Sequence, residues 1–310
     1  MKKIGVVGLG NIGAKAATNL LAAGFDVIGF DIVPNADFVA KGGNFVASVE
    51  ELAKSVDVVI HSLPAVSILV KTVDELIKVS KPGQVVIDIS SYPLADKKAQ
   101  AERLAEQGIA MLDCEISGLP FMLSARTAVI FQSGDLTLVE SLKDVFQGLT
   151  EKCFYLGEFG AATKMKLLAN AMVFVHNMMG AEILNLAKDA ALDPEMVFDV
   201  LKQSASGSTT FSNKAPLMLS RQFESGAGPF RHMFHYMSRV SDLAAQTSTA
   251  TPLINTALAY AQRAEQENRH DQDIAAMIEM MEQTSASQQS TTESNIQTNH
   301  PDNTRRNGHE

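Results

Sequence analysis

Lys166 and Asn170 are the residues whose types and spacing best suit proton-transfer chemistry. They stand four positions apart at the start of a long apolar run, so they share one face of a helix. A lysine takes or gives a proton, and a neighbouring amide fixes a hydroxyl or carbonyl oxygen. Lys164 lies about 120° from Asn170 around the helix, whereas Lys166 lies about 40° away. The pair predicts an acid/base centre if a redox cofactor lies within reach; the alternative is a solvated lysine at a helix start.

A glycine motif near the N-terminus predicts such a cofactor. Gly8, Gly10 and Gly13 follow a short β-branched run in G-x-G-x-x-G spacing and precede a helix-forming run. Gly8 permits a tight turn, Gly10 lets the backbone approach a pyrophosphate, and Gly13 lets the helix pack closely on the strand. The free N–H groups and the dipole at the helix N-terminus favour that anion. We expect this turn, including Asn11 and Ile12, to bind a dinucleotide.

An acid at the end of the second predicted strand strengthens the cofactor prediction. Asp31 follows Gly13 by 18 positions, close to the spacing of about 20 expected for a ribose-binding carboxylate. It would accept hydrogen bonds from the adenosine ribose hydroxyls and repel a 2′-phosphate, and the next three residues include no arginine. The sequence therefore predicts NAD over NADP. The alternative is that Asp31 and the glycines only form turns.

Composition agrees with a globular protein of two domains. The chain has 310 residues, of which 46% are hydrophobic, enough for two cores. The net charge of −9 and the pI of about 5.3 give no reason to expect nucleic acid or an anionic membrane as a partner. Cys114 and Cys153 cannot form a metal cluster by themselves, so no metal site is predicted. We expect both to be buried thiols in a reducing compartment.

The N-terminal apolar run is interpreted as a strand and not as a signal peptide, because glycines and Asn11 interrupt it. No run of about 18 uninterrupted apolar residues exists, so no segment is expected to span a bilayer. We therefore expect a cytoplasmic protein.

Strand and helix patterns alternate through the first half of the chain. They predict strands over residues 56–62, 84–89 and 111–116, a helix over 95–106, and further strand-like runs at 127–132 and 152–156. This alternation implies a mostly parallel sheet with helices on both faces, whose ligands lie at the carboxyl ends of the strands. The cofactor cleft should therefore be lined by the loops after Val7, Phe30, Ser62 and Ile89.

The pattern becomes helical after Gly160 and remains so. Residues 167–186 are apolar on nearly every face, which indicates a helix surrounded by protein. Asp193 and Pro194 predict the cap and first turn of another helix. Further helices are predicted over residues 229–247, 252–266 and 271–283. We expect a dinucleotide-binding domain over 1–160, a helical domain over 161–283, and a disordered tail over 284–310, where large apolar residues are almost absent.

Three motifs in this order resemble the β-hydroxyacid dehydrogenase family, which includes 3-hydroxyisobutyrate dehydrogenase and tartronate semialdehyde reductase. They are the glycine turn, Asp113-Cys-Glu-Ile-Ser-Gly118 and Lys166-Leu-Leu-Ala-Asn170. The resemblance covers about residues 1–283, and its specificity comes from the separations of the three motifs. Smaller matches are Leu63-Pro64, the strand end Asp88-Ile-Ser-Ser91, and Asp271-Gln-Asp273 near the end of the last helix. It implies a Rossmann-type α/β domain with a doubly wound, mostly parallel sheet, followed by an all-α domain.

The family resemblance also implies residue roles. Lys166 would be the catalytic acid/base, and Asn170 would position it or the substrate oxygen. Ser117 and Gly118 would bind the substrate carboxylate, which backbone N–H groups and one hydroxyl can hold. Further cofactor contacts would come from Leu63, Pro64 and Ser91. A lysine near a cationic nicotinamide in a partly apolar cleft is easier to deprotonate, which suits general-base work near neutral pH.

Several positions depart from the family pattern. Glu115 replaces a proline, Leu119 a glycine and Ala169 an asparagine, and His235-Tyr236 occupy the place of a Lys-Asp pair. Leu119 would narrow the substrate pocket or make it more apolar. Glu115 would add negative charge near an anion site unless its side chain points away.

The sequence therefore predicts an NAD-dependent dehydrogenase that reversibly oxidises a small 3-hydroxy carboxylic acid to its semialdehyde or keto acid, as a homodimer or homotetramer. One alternative is a dehydrogenase-like sensor or interaction protein that binds the nucleotide without turnover. A decarboxylating enzyme of the 6-phosphogluconate type would need arginines for a phosphate and a larger helical domain. An imine reductase generally lacks a lysine at the position of Lys166. His61 and His176 are interpreted as satisfied structural histidines, and Met172, Met178 and Met179 as core residues.

Overall fold

A computed structural model describes residues 2–224 and 228–285. The chain divides into two compact units, the first ending at Ala169 and the second beginning at Asn170. Each unit is described by itself below.

The first unit contains a sheet and the helices that connect its strands. The strands are β1 (Lys3–Val7), β2 (Asp26–Phe30), β3 (Asn44–Phe45), β4 (Val58–His61), β5 (Val85–Asp88), β6 (Ala110–Ser117), β7 (Val129–Ser133) and β8 (Lys152–Tyr155). The helices are α1 (Gly13–Ala22), α2 (Ala36–Ala40), α3 (Val49–Ser55), α4 (Val66–Leu76), α5 (Leu94–Ala105), α6 (Pro120–Ser124), α7 (Leu136–Ser141) and α8 (Lys143–Leu149). The long helix α9 (Ala161–Asp189) begins in this unit and continues into the second.

The strand order confirms the predicted doubly wound, mostly parallel sheet. It runs β3-β2-β1-β4-β5-β6-β7-β8, and only the β6–β7 pair is antiparallel. The order reverses between β1 and β4, which is where such a sheet opens a crevice at its carboxyl edge. The first three residues of β4 and of β5 are apolar, as expected of strands that are covered on both faces. Ile60 and Ile87 face one buried core, whereas Val59 and Val86 face the other.

The second unit is helical, as predicted. Its helices after α9 are α10 (Pro194–Leu201), α11 (Thr209–Ser220), α12 (Phe230–Gln246) and α13 (Pro252–Gln266). Asp193 caps α10, since its side chain accepts a hydrogen bond from Glu195 N at 3.1 Å. The sequence reading missed α11, because Pro216 lies inside it.

The predicted helix over residues 271–283 begins too early. Residues 271–273 form a turn, Ile274–Ala276 a 3₁₀ turn, and the α-helix covers residues 277–285. The boundary is set by Asp273, which accepts from Ala275 N at 2.9 Å and pairs with the buried Lys214 at 2.5 Å. Thus Asp271-Gln-Asp273 precedes the last helix instead of ending it. Residues 284 and 285, assigned to the tail, are helical, and the rest of the predicted tail lies outside the described residues.

Helix α9 is not surrounded by protein on every face, which corrects the prediction. Met178 is buried, but Met172 and Met179 are 59% and 53% exposed and are not core residues. By length and composition α9 could cross a membrane, yet half of its most apolar window is buried. Asn177 and Asn185 donate from this helix to the carbonyls of Ile274 and Ile278 at 2.8 and 3.1 Å. These buried amide contacts are typical of a helix in a protein core.

Candidate active site

The three glycines of the N-terminal turn occupy different steric environments. A Cβ on Gly8, whose φ is +92°, would lie 2.2 Å from the Ser62 carbonyl oxygen. A Cβ on Gly13 would lie 1.8 Å from the Gly8 carbonyl oxygen, whereas one on Gly10 would meet no atom of the described residues within 4 Å. Gly8 and Gly13 are therefore required by close packing. The open side of Gly10 fits a pyrophosphate lying against the backbone.

Asp31 fixes the glycine turn from the neighbouring strand. Its carboxylate accepts from Leu9 N at 2.6 Å and from Val33 N at 3.3 Å, and its side chain is half-buried. Asn35 donates to the Leu9 carbonyl at 3.0 Å and also caps α2 by accepting from Phe38 N. Carboxylate oxygens retain further lone pairs, so these bonds leave room for ribose hydroxyls. Sequence reasoning missed Asn35, although its capping position before α2 was a usable signal.

The loops after β4 and β5 are tied together beside this turn. Leu63 N donates to Ser90 Oγ at 2.9 Å, and the Tyr92 hydroxyl donates to the Leu63 carbonyl at 2.8 Å. Pro64 is exposed next to the buried Leu63. Ser90 and Tyr92 were not predicted as site residues. Each contacts the backbone of Leu63 in the loop after β4, and this contact is not visible in the sequence.

A buried hydroxyl lies in the loop after β5. Ser91 Oγ makes no hydrogen bond to any residue that the structure describes. A buried hydroxyl without a partner is unfavourable unless a ligand or water satisfies it. Together with the open side of Gly10, this hydroxyl makes the residues present here fit a bound dinucleotide.

Lys166 reaches the end of strand β6. Its Nζ donates to the Ile116 carbonyl at 2.6 Å, and its side chain is half-buried, whereas Lys164 is exposed. Ser117 and Gly118 follow directly, the latter exposed and with φ +145°. The structure thus brings the predicted acid/base lysine and the two predicted carboxylate-binding residues to one place.

The first turn of α9 is anchored on strands β6 and β7. Asp113 accepts from Thr163 N at 3.0 Å and from Thr163 Oγ1 at 2.8 Å. Ser133 Oγ accepts from Gly160 N at 3.3 Å and from Ala162 N at 3.1 Å. These oxygens satisfy N–H groups that a helix start leaves unpaired, and the carboxylate suits its positive dipole end. The catalytic candidate one turn further on is therefore carried by a fixed helix end.

A buried ionic cluster lies beneath this helix start. Lys97 Nζ of α5 lies 2.9 Å from Asp113, 3.2 Å from Asp88 and 3.4 Å from Glu115, and all four side chains are shielded from solvent. Burial opposes the charge of Lys97, but the three carboxylates raise its pKa well above the ordinary value. Burial likewise opposes the charge of Asp113, yet Lys97 and Thr163 lower its pKa. Lys97 and Asp113 are therefore an ionised pair.

Glu115 points into this cluster and not away from it. Burial raises its pKa to about 7, although Lys97 and then Lys166 act in the opposite direction. The negative charge expected from the sequence is therefore only partly present at neutral pH. Lys97 was not singled out from the sequence, where it resembles a surface lysine of an exposed helix.

His61 differs from the satisfied structural histidine that was predicted. It is fully buried, and neither ring nitrogen has a hydrogen-bond partner among residues 2–224 and 228–285. Burial lowers its pKa to about 4 against the opposing effect of Asp88, so the ring is neutral. In the sheet it pairs in register with Asp88, which pairs with Asp113, which pairs with Ser133. A buried polar row therefore crosses the carboxyl edge of the sheet.

The remaining candidate positions have varied surroundings. Asn170 is buried on α9 one turn after Lys166, and its Nδ2 makes no hydrogen bond within the described part of the chain. His235 is exposed on α12, and Leu119 is half-buried before α6. Cys114 is buried, but Cys153 is only half-buried, contrary to prediction. His176 is half-buried on α9.

Two family descriptions cover most of the chain. Residues 3–157 match the NAD binding domain of 6-phosphogluconate dehydrogenase, and residues 160–281 match the NAD-binding region of NADP-dependent 3-hydroxyisobutyrate dehydrogenase. Because the helical region matches 3-hydroxyisobutyrate dehydrogenase, the second match does not favour the alternative of a decarboxylating enzyme of the 6-phosphogluconate type.

Individual relatives agree with these matches. An L-threonate dehydrogenase from Cupriavidus necator is 31% identical over 72% of this chain and 77% of its own length. An NAD-dependent L-serine dehydrogenase from Pseudomonas aeruginosa is 32% identical over 67% and 71%. The structure of Mycobacterium tuberculosis 3-hydroxyisobutyrate dehydrogenase with L-serine superposes with a TM-score of 0.81 at 25% identity, covering 91% of this chain and 99% of that one. Imine reductases share the fold at lower similarity, with a TM-score of 0.58 and 18% identity for the Pseudomonas enzyme.

Proposed function

The chain belongs to the β-hydroxyacid dehydrogenase family, and from that premise we propose that it reversibly oxidises a small 3-hydroxy carboxylic acid, with NAD preferred. It is an oxidoreductase that uses a nicotinamide dinucleotide. The observation that carries the proposed site is the 2.6 Å contact of Lys166 Nζ with the Ile116 carbonyl, directly before Ser117 and Gly118.

In this mechanism Lys166 is the proton-transfer group. Its Nζ takes the substrate hydroxyl proton during oxidation and returns it during reduction. The bound nicotinamide supplies the hydride acceptor, which no side chain provides. Ser117 Oγ and the backbone around Gly118 hold the carboxylate, and the Ile116 carbonyl orients the lysine. Asn170, one turn along the same helix, positions the lysine or the substrate oxygen. The side chains and backbone thus orient the substrate and hold a proton-transfer group beside it.

The proposed cofactor site consists of the glycine turn, Asp31 and the tied loops. Gly10, Asn11 and Ile12 present the turn to the pyrophosphate, between the closely packed Gly8 and Gly13. Leu63, Pro64 and Ser91 add contacts from the loops after β4 and β5. Asp31 favours NAD, because its carboxylate accepts from ribose hydroxyls and repels a 2′-phosphate.

The substrate is proposed to carry a small apolar group near the carboxylate. Leu119 stands where the family has glycine, and it is half-buried directly after the proposed carboxylate-binding residues. A side chain here narrows the space and favours apolar contact. Substrates with a second hydroxyl at this point are expected to react more slowly than those with a methyl group.

The surface of α9 suggests how the chain assembles. Met172, Met179 and Leu186 recur every seven residues along α9 and are each more than half exposed. A stripe of this kind favours association with a second copy, so we propose a homodimer or homotetramer.

We propose a cytoplasmic location on separate grounds, since Cys114 and Cys153 are both free thiols. We propose further that residues 1–160 form the cofactor domain and 161–283 the helical domain.

A turnover screen tests the proposed function. Short 3-hydroxy acids are incubated with NAD or NADP, and reduced nicotinamide is followed by its absorbance. We expect turnover with NAD, a loss of about 10²-fold or more in Lys166→Ala, and parent-like turnover in Lys164→Ala, an exposed lysine on the same helix. Equal turnover of the Lys166 variant and the parent would remove the mechanism. NADH binding without turnover of any hydroxy acid would instead favour the sensor alternative.

A second variant tests the cofactor preference. Asp31→Ala should weaken NAD binding by about 10-fold or more, because a charged hydrogen-bond acceptor is lost. It should weaken NADP binding far less, since the repulsion of a 2′-phosphate disappears at the same time. Asp37→Ala, a nearby exposed acid, serves as the control. A parent enzyme that binds NADP more tightly than NAD would contradict the assignment of Asp31.

A further inference from the structure

The Asp113 carboxylate accepts hydrogen bonds from four donor atoms, two on each oxygen. Lys97 Nζ and Thr163 Oγ1 lie 2.9 and 2.8 Å from Oδ1. Thr163 N and Ser133 Oγ lie 3.0 and 2.9 Å from Oδ2. An ionised carboxylate offers about four lone-pair sites, so donors occupy every acceptor position of Asp113. An asparagine of the same shape could not replace it, because its amide nitrogen would face other donors.

Two contacts attach the start of α9 to β6. The first joins Thr163 to Asp113, and the second joins Lys166 Nζ to the Ile116 carbonyl at 2.6 Å. Thr163 and Lys166 are three positions apart, so they lie near one face of the helix. Two contacts on one face fix both the position of the helix along the strand and its rotation about its own axis.

The lysine contact depends on where the first contact holds the helix. Three residues rise about 4.5 Å along a helix but about 10 Å along a strand. The interval between the two contact points is therefore much shorter on α9 than on β6. The long side chain of Lys166 spans the difference, so a shift of Thr163 away from Asp113 would move Nζ off the Ile116 carbonyl.

We propose that Asp113 is a positioning residue for Lys166: by holding Thr163, it sets the place of the Lys166 nitrogen at the carboxyl end of β6. The catalytic meaning of this contact rests on the proposed function, in which Lys166 is the acid/base. Asp113 is fully buried and its acceptor sites are occupied, so it acts through the helix and not on the substrate. The buried ammonium group of Lys97 compensates the charge that this helix contact requires.

Lysine labelling tests the contact without turnover. The parent protein and Thr163→Val are treated briefly with acetic anhydride, and mass spectrometry compares Lys166 with the exposed Lys164. Valine keeps the shape of threonine but loses the hydroxyl bond to Asp113. Acylation requires the Lys166 nitrogen to leave the Ile116 carbonyl, so we expect its rate relative to Lys164 to rise about 5-fold or more.

Two control variants separate positioning from a general loss of stability. Thr150→Val also removes a buried hydroxyl, which donates to the Ala128 carbonyl at 2.6 Å, and it should leave the labelling ratio unchanged. Thr163→Ser keeps both donors to Asp113 and should keep the parent ratio. If Thr163→Val does not fold, Thr163→Cys takes its place, since a thiol is only a weak donor. An unchanged ratio in folded Thr163→Val or Thr163→Cys would overturn the proposal, and so would an equal rise in either control.

Kinetics give a second readout that a purely structural role would not move. Displacement of Lys166 should lower kcat for oxidation by about 10-fold or more in Thr163→Val, because the proton-transfer group is no longer aligned. Thr163→Ser should recover most of that rate, and NADH binding should stay at the parent value in both variants. A parallel loss of NADH binding in Thr163→Val would indicate damage to the whole unit and would overturn the proposal.

The two proposals fail separately. A raised labelling ratio in Thr163→Val, in a chain whose Lys166→Ala variant is fully active, would overturn the acid/base role alone. An unchanged ratio in a chain whose Lys166→Ala variant is inactive would overturn the role of Asp113 alone.

Discussion

The glycine turn and the Lys97 cluster position the two halves of the proposed reaction by different physical means. The turn depends on the absence of side chains: Gly13 lies against the Gly8 carbonyl where a Cβ would be 1.8 Å away. The cluster depends on charge: Lys97 is surrounded by Asp88, Asp113 and Glu115 with no access to solvent. Close backbone packing therefore shapes the proposed cofactor site, whereas compensation of buried charge holds the region that carries the proposed acid/base residue.

Removing the buried ammonium group of Lys97 should have the largest effect on stability. Lys97→Met leaves Asp88 and Asp113 buried without their counterion, which should lower the free energy of unfolding by about 3–5 kcal/mol. Lys98→Met, an exposed neighbour on α5, should change it by less than about 0.5 kcal/mol. Urea unfolding of both variants measures the difference. If Lys97→Met were as stable as the parent, charge compensation would not be what holds this region.

Adding one methyl group to the turn should have a smaller effect that depends on position. Gly13→Ala places a Cβ against the Gly8 carbonyl and should destabilise the chain by about 2 kcal/mol or more. Gly10→Ala meets open space, so it should unfold like the parent but bind NADH more weakly. Urea unfolding and NADH fluorescence titration separate the two outcomes. Equal destabilisation by both variants would contradict the distinct roles of these glycines.

The smallest expected effect is a change in how stability depends on pH. Glu115 has a folded pKa of about 7 against an ordinary 4.5, so the folded state binds more protons and stability falls as pH rises through this window. His61, with a folded pKa of about 4 against 6.5, gives the opposite slope: stability is lost as pH falls from 6.5 to 4. The two effects partly cancel between about pH 4.5 and 6.5.

Glu115→Gln removes one of these opposing slopes. The free energy of unfolding of the variant should rise more steeply between pH 4.5 and 6.5 than that of the parent, because the contribution of His61 is then unopposed. Urea unfolding at several pH values measures both slopes. Parallel curves for variant and parent would show that Glu115 does not titrate in this range.

The two regions also differ in how well the sequence predicted them. The turn lies within six consecutive residues, so the spacing of Gly8, Gly10 and Gly13 expresses its geometry directly. The sheet and the helical second unit likewise followed from local periodicity. The cluster joins Asp88, Lys97 and Asp113, which meet only after α5 packs beside β5 and β6. No local pattern distinguishes Lys97 from a surface lysine.

The wrong predictions for the helices also arise because the sequence does not show long-range contacts. Local hydrophobicity described α9 as buried on all faces, but only packing reveals that Met172 and Met179 are exposed. The turn before residues 277–285 depends on the contact between Asp273 and Lys214, which are 59 positions apart. Glu115 was noticed only as a departure from the family pattern. Its orientation toward Lys97 required the structure.

Chemical rescue of Lys166→Ala measures the central claim most directly, because it supplies the missing amine without changing the rest of the chain. We predict that small primary amines restore part of the lost oxidation rate, and that the rescued rate increases with the basicity of the amine. Lys164→Ala should show no response. A Lys166→Ala variant that folds and binds NADH but gains no rate from any amine, or that needs none, would contradict the assignment of Lys166 as the acid/base.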